Sequence, residues 1–338
     1  MTAGLALACM AAVPAAAQTH VLRAAHAFPP DHFVSRFGIE PFIKRVTELS
    51  EGALKIEYFP GGQLGKAPDY LKLTQSGLMD MSFIAPSYVS DKMPLSSVAE
   101  LPGMFTSGCE GTAAYWQILK SSRLLALDFA ANKIVPLFVW ILPPYQVISR
   151  DRRIADVKSL GGLKLRTTGG AMDIMAQRLG AVSVRMAAPE VYESLSRGTL
   201  DGLIFPLSSV TAYRLDELVK FSTEGENFGS FVAVWGMSEP KLKALPEAIR
   251  KVLVKVGEET VPTLCRQIDA LEVETATKLQ ASGVQMSRLP DDERAKLKVL
   301  LAGVADEWAS GLDGRGKPGT EILKAYRAAL ANPSAPRQ

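Results

Sequence analysis

Between residues 21 and 235, apolar runs of strand length alternate with stretches of helical period; from Pro240 onward the pattern is almost purely helical. That order constrains the fold more than any other feature. Strand, helix, strand in succession calls for a mostly parallel sheet with crossover helices. Residues 21–25 read as a first strand. Residues 31–49 place Phe33, Phe37, Ile39, Phe42, Ile43 and Val46 near a 3.6 period, so they read as helix. Residues 54–59 alternate as a strand that Pro60-Gly61-Gly62 stops. A short helix over 68–76 and a strand over 79–84 follow. A second run of such units begins at 134–141, bounded by Pro143-Pro144. It continues with strands at 145–149, 163–166, 202–205 and 231–235 and helices at 171–179 and 191–196.

The helical remainder opens at Pro246, a residue suited to a first helical position. Its pattern runs to about Ala281, roughly 35 residues and about 50 Å at 1.5 Å per residue. Gly257 and Pro262 are expected to kink or divide it. A helix that long outruns one lobe and should brace two. Helices over 291–309 and 319–331 complete the chain. The length of 338 residues agrees with about two domains. The division expected is 18–143 plus 231–270 for a first lobe and 144–230 plus 271–338 for a second.

Residues 1–17 carry no charged side chain, hold an apolar run from Leu5 to Val13, and end in Ala15-Ala16-Ala17. This is the pattern of a secretory signal peptide cut after Ala17. Export leaves Cys109 and Cys265 in an oxidising compartment. One lies in a Ser-Gly-Cys-Glu-Gly loop and the other in a helical pattern, so two free or loosely placed thiols are the default expectation and a disulfide between them is the alternative.

Charge and motif content exclude several functions. With 38 Lys and Arg against 35 Asp and Glu, the net charge is +3 and the basic residues are scattered. A nucleic-acid footprint gathers them on one face beside stacking aromatics. No Gly-x-Ser-x-Gly elbow and no Walker A loop is present. Gly314-Arg315-Gly316-Lys317-Pro318-Gly319 fits Gly-x-Gly-x-x-Gly but follows no strand, so it reads as a helix–helix linker. The three histidines, His20, His26 and His32, have no metal-pair spacing and no cysteine cluster beside them. No cofactor and no metal is expected, and binding is favoured over catalysis.

Four stretches carry a family resemblance. Phe59-Pro60-Gly61-Gly62-Gln63-Leu64-Gly65, Ser76-Gly77-Leu78-Met79-Asp80-Met81 and Glu100-Leu101-Pro102-Gly103-Met104-Phe105 are three. The fourth opens with Gly162-Leu163-Lys164-Leu165-Arg166. It continues through Leu179-Gly180-Ala181 and Pro189-Glu190-Val191-Tyr192 to Gly198-Thr199-Leu200-Asp201-Gly202. In this order the chain resembles the DctP-type solute-binding proteins of tripartite ATP-independent periplasmic (TRAP) transporters. The resemblance implies an α/β fold of the periplasmic binding protein type II kind, with two lobes, a hinge and a long helix spanning both. It implies a periplasmic, monomeric receptor that closes on an organic acid and delivers it to membrane permease subunits. A binding protein of an ATP-driven importer, a sensor-coupled receptor and a secreted enzyme are the competing readings.

The family's carboxylate-binding Arg falls on Arg166. The residues agree, because Arg166 ends an apolar strand just before a Thr-Thr-Gly-Gly turn. A guanidinium fork there can grip a carboxylate with two charge-assisted hydrogen bonds. The family's frequent second cleft Arg is replaced by Gln146, its Asn before a Pro by Phe205, and an aromatic of some members by Ala188. Trp140, Tyr145 and Trp235 sit near strand ends that should face the cleft, though both Trp fit core positions equally. Tyr88 follows a strand and should line the first lobe. His26 follows the first strand, where open α/β sheets present ligand contacts, and Phe28 stands two residues on. Thr168 and Gly169 are further candidate donors. One positive charge among aromatics predicts a monocarboxylate with an aromatic or branched body, rather than a sugar acid.

Overall fold

The computed structural model describes residues 19–332; the leader proposed over 1–17 lies outside the described residues. The chain opens with β1 (His20–Ala25), α1 (Glu40–Leu49), β2 (Leu54–Phe59), α2 (Tyr70–Gln75), β3 (Met81–Ile84), α3 (Gly108–Ser121) and β4 (Ile134–Ile141). It continues with β5 (Gln146–Ser149), β6 (Lys164–Thr167), α4 (Ala171–Arg178), β7 (Val182–Arg185), α5 (Val191–Ser196), β8 (Gly202–Phe205), α6 (Leu207–Val210) and β9 (Phe221–Thr223). Then come β10 (Val232–Ser238), α7 (Glu239–Ala244), α8 (Glu247–Ala281), β11 (Gln285–Ser287), α9 (Asp291–Asp313) and α10 (Gly319–Ala331).

Two sheets organise these elements. The first has the order β2-β1-β3-β10-β4, with β1, β2 and β3 parallel and β10 antiparallel to both of its neighbours. The second has the order β11-β9-β5-β8-β6-β7, with β6, β7 and β8 parallel and β5 antiparallel between β9 and β8. The first lobe therefore recovers β10 from beyond the second. Strands β3 and β10 in the middle and β4 at one edge are nearly continuous apolar runs because helices or rings cover both faces. The strands that periodicity did not announce, β7, β9 and β11, are short, and β7 and β11 lie at the sheet edges. β7 and β11 bury no residue, and β9, although two of its three residues are buried, is too short to write an alternating pattern.

The chain crosses between lobes at 142–145 and again at 224–231. The two crossings run side by side: the Leu142 N–H donates to Phe231 O at 3.1 Å and the Tyr145 N–H to Gly229 O at 2.9 Å.

The long helix α8 spans 35 residues, as the pattern predicted, and is not divided at Gly257 or Pro262. A Cβ at position 257 would lie 2.1 Å from the Leu137 carbonyl oxygen. Gly257 thus lets α8 touch the backbone of β4, a role in close approach. One turn beyond Pro262, Cys265 is joined to Cys109 of α3 by a disulfide, with Cα atoms 4.9 Å apart. The expectation of two free thiols is corrected: 156 residues of chain separate a pair that packing brings together. Four residues later, the Asp269 carboxylate accepts from the Gly108 and Cys109 N–H groups at 2.7 and 3.0 Å, capping the start of α3. Within one further turn the Glu272 carboxylate accepts from Leu207 and Ser208 at 2.9 and 2.7 Å, capping α6 in the second lobe. One helical turn of α8 thus anchors both lobes.

The C-terminal helices serve both lobes rather than the second alone. α9 packs on α4, where Arg178 pairs with Glu307, and its Trp308 Nε1–H donates to Ser97 of the first lobe at 2.8 Å. α10 lies against α3 of the first lobe. The Gly314–Gly319 string forms the link between α9 and α10, as expected of a linker.

Candidate functional site

A cavity of about 460 Å³, its mouth included, lies between the two sheets. Rings close around it in a circuit. Starting at Arg166, whose guanidinium carbon stands 5.0 Å from the Phe205 centroid, the circuit passes edge to face from Phe205 to Tyr213 at 5.9 Å and on to His32 at 5.4 Å. It returns through Phe28, stacked on His32 at 4.5 Å, then Phe83 at 4.5 Å, Phe231 at 6.3 Å and Tyr88 at 5.4 Å. The Tyr88 hydroxyl closes it, accepting from Arg166 Nη2 at 3.2 Å. Trp140, Tyr145 and Leu142 complete the lining.

Arg166 sits on β6, paired on both sides by parallel neighbours, so its backbone is fixed. Its residue is 1% exposed. Nε donates to the Met186 carbonyl at 3.1 Å, Nη2 to Tyr88, and Nη1 has no partner among the described residues. A buried cation without a counter-ion is costly, and a ligand carboxylate would supply one. Glu100 is near enough to feel Arg166, yet burial pushes its carboxyl up to about 8, so near neutral pH it is mostly protonated. Its Oε1 accepts from the Val232 N–H at 3.2 Å. The charge of Arg166 is therefore left to the cavity. Burial also raises Tyr88 and Tyr145, which stay neutral hydroxyls beside it.

Of the residues singled out from sequence, Arg166, Phe205, Trp140, Tyr145, Tyr88, Phe28 and Ala188 line the cavity. The other five do not. Gln146 turns into the second lobe, where its Oε1 accepts from the Thr223 hydroxyl at 2.9 Å and its Nε2 donates to the Glu226 carbonyl at 2.7 Å. Its loss of charge relative to the family pattern is thus a change behind the cavity. His26 lies one layer back: Nδ1 accepts from the Phe28 N–H at 3.1 Å and Nε2 meets the Ser35 and Tyr58 hydroxyls. Burial lowers it to about 4, so it is a neutral strut for Phe28. Thr168 is fully buried against Met172, and Gly169, at φ +103°, packs on the Arg185 guanidinium. Trp235 is core, stacked on Phe138 at 6.1 Å.

Sequence reasoning missed His32, Phe83, Tyr213 and Phe231. His32 and Phe33 follow Phe28 closely, and that ring density was the available signal. Tyr213 follows α6 in a short turn whose place is set only by the capping of α6 from Glu272. Among the described residues no group of three His, Cys, Asp or Glu side chains could hold a metal ion, and no helix is long and apolar enough to cross a membrane.

Comparison with known proteins agrees with this geometry. The family model described as DctP, bacterial extracellular solute-binding protein, family 7, matches residues 24–311. The C4-dicarboxylate-binding periplasmic protein DctP of Rhodobacter capsulatus is 27% identical over 335 residues, 96% of each chain. A TRAP solute-binding protein from Rhodoferax ferrireducens T118, solved with copurified benzoate, is 26% identical with a TM-score of 0.85, covering 93% of this chain and 98% of that one. A marine-metagenome TRAP solute-binding protein specific for aromatic acid ligands, solved with 3-hydroxybenzoate, gives a TM-score of 0.88 at 23% identity, covering 94% and 100%.

Proposed function

Because the chain belongs to the DctP family of bacterial extracellular solute-binding proteins, we propose that it captures an aromatic monocarboxylate in the ring-lined cavity and delivers it to TRAP permease subunits in the membrane. The observation that carries the ligand class is Arg166: a single buried guanidinium with Nη1 unpartnered, set in a wall of rings. One carboxylate satisfies it. A second carboxylate, or a run of sugar hydroxyls, would face mainly rings, Phe28, Phe83, Trp140 and Phe205 among them, and find too few partners to replace its water. Likeness to the benzoate-bound relative supports the same class, whereas the equally similar dicarboxylate-binding relative shows that overall identity does not choose between them.

Arg166 and Phe205 come from the second lobe, and Phe28, Tyr88 and Trp140 from the first. Ligand thus gains its full set of contacts only when the lobes meet, and its binding energy is what favours closure. The Tyr88 hydroxyl, which also accepts from the Ala188 N–H at 3.0 Å, latches the lobes beside Arg166. With Cys265 and Asp269 tied to the first lobe and Glu272 to the second, a bend of α8 on closure would fall between 269 and 272. The stretch from Gly257 to Pro262 belongs with the first lobe. The protein works as a monomer, exported by the leader over residues 1–17.

The test is calorimetry and thermal shift on purified protein with benzoate, mandelate, succinate and galacturonate. Binding to the native state raises the melting point with ligand concentration. Benzoate or mandelate should stabilise the protein and Arg166→Ala should abolish the effect. Stabilisation by succinate or galacturonate alone would refute the ligand class while leaving the receptor intact. No stabilisation by any acid would remove the receptor reading as well.

A further inference from the structure

The cavity holds a second buried nitrogen that the carboxylate site does not use. His32 is 3% exposed and lies between Phe28 and Phe33, whose centroids are 4.5 and 4.2 Å from its own, both stacked. Tyr213 meets it edge to face. The ring cannot turn without displacing these neighbours. Its Nδ1 accepts from the Val34 N–H at 3.3 Å, which assigns the proton of a neutral ring to Nε2. Burial and the nearby His26 hold the imidazole down to about 3, so it stays neutral. His32 lines the cavity, and its ring is tied to the chain through Nδ1. Tyr213, edge to face with it, lines the cavity as well.

Position in the ring circuit gives this donor its meaning. Two rings, Phe205 and Tyr213, separate His32 from Arg166 on one side; Phe28, Phe83, Phe231 and Tyr88 separate them on the other. Both residues line the same cavity, with rings between them on either side. Unlike a phenyl group, an imidazole on that wall offers a neutral N–H that an oxygen in the cavity can accept from.

We propose that His32 reads the far end of the ligand, its Nε2–H donating to an oxygen on the ring of an aromatic acid whose carboxylate is held by Arg166. The preferred ligands are then hydroxy- or oxo-substituted aromatic monocarboxylates rather than unsubstituted ones. The Tyr213 hydroxyl is placed to accept the proton of a ligand phenol. This inference rests on the aromatic-acid reading above and adds to it which aromatic acid.

The experiment is calorimetry with benzoate, 3-hydroxybenzoate and 4-hydroxybenzoate on the wild type, His32→Phe and His32→Gln. One hydroxybenzoate should bind the wild type about ten-fold tighter than benzoate, the size of one neutral hydrogen bond. In His32→Phe that ratio should collapse to about one, and in His32→Gln, whose amide restores a donor, it should partly return. A second readout needs no variant: in protein labelled with ¹⁵N-histidine, the His32 Nε2–H resonance should move downfield with the hydroxybenzoate and not with benzoate. A wild-type ratio near one, a ratio that survives His32→Phe, or an unmoved resonance overturns the inference while benzoate binding preserves the function. Failure of all three acids to bind the wild type overturns the function itself.

Discussion

The two walls of the cavity are built differently. The first-lobe wall, with Phe28, Phe83 and Trp140, is continuous with the main core: Trp140 is 1% exposed and stands 5.9 Å from Phe138, itself stacked on Trp235. The second-lobe wall, with Arg166, Phe205 and Tyr213, carries the charge and belongs in part to a smaller cluster of its own. One wall is fold that happens to face ligand. The other is a binding surface held in place by strands and caps. Substitutions in the first should appear mainly as lost stability, and in the second mainly as lost affinity.

Trp140→Ala should give the largest effect, destabilising by about 3–5 kcal/mol as a large ring leaves a packed core. Chemical denaturation would show it, and an unchanged midpoint would erase the distinction between the walls. Arg166→Ala should lower ligand affinity about 100- to 1,000-fold, the usual range for removing one partner of a buried charged pair. Its unfolding free energy without ligand should hold or rise, because the charge it removes is unpaired until ligand arrives. Arg166→Lys should recover only part of the affinity, since a point charge cannot replace the fork.

Glu272→Ala should sit between these extremes, at about 1–2 kcal/mol of stability, because it strands two backbone donors at the start of α6. Faster hydrogen exchange at Leu207 and Ser208, together with weaker binding, would show that α8 holds the second wall in position. Exchange unchanged at those amides would argue against that link.

Glu100→Gln should show itself as a change in pH dependence. With a carboxyl held at about 8 when folded and near 4.5 when unfolded, the folded state keeps a proton that the unfolded state has lost across that interval. That contribution to stability is fully present below about pH 4.5 and is lost as pH rises toward 8. The variant should flatten that slope in melting curves. Above about pH 8 the wild-type Glu100 ionises near Arg166 and competes with the ligand carboxylate, so affinity should fall there and not in Glu100→Gln.

Much of the first wall and the charge of the second were legible from sequence for separable reasons. Arg166 is marked by the family resemblance, and its place at a strand end before a Gly-Gly turn, a local feature, agrees. Phe28, Tyr88 and Trp140 could be placed because each lies at or just past a recognisable strand. Gln146 and Trp235 satisfied the same rule and still point elsewhere, since alternation along a strand fixes two faces but not which one meets the cleft. His26 and His32 differ by six residues, and only the stacking between Phe28 and Phe33 sends the second into the cavity.

Local patterning determined the order of strands and helices, the length of α8 and the cation at the end of β6, because periodicity and turn chemistry act over a few residues. Tertiary structure alone decided the rest. The Cys109–Cys265 bond, the capping of α3 and α6 by Asp269 and Glu272, and the ring circuit that links His32 to Arg166 join residues dozens to more than a hundred positions apart. Such contacts depend on how whole elements pack against one another, which no local pattern encodes.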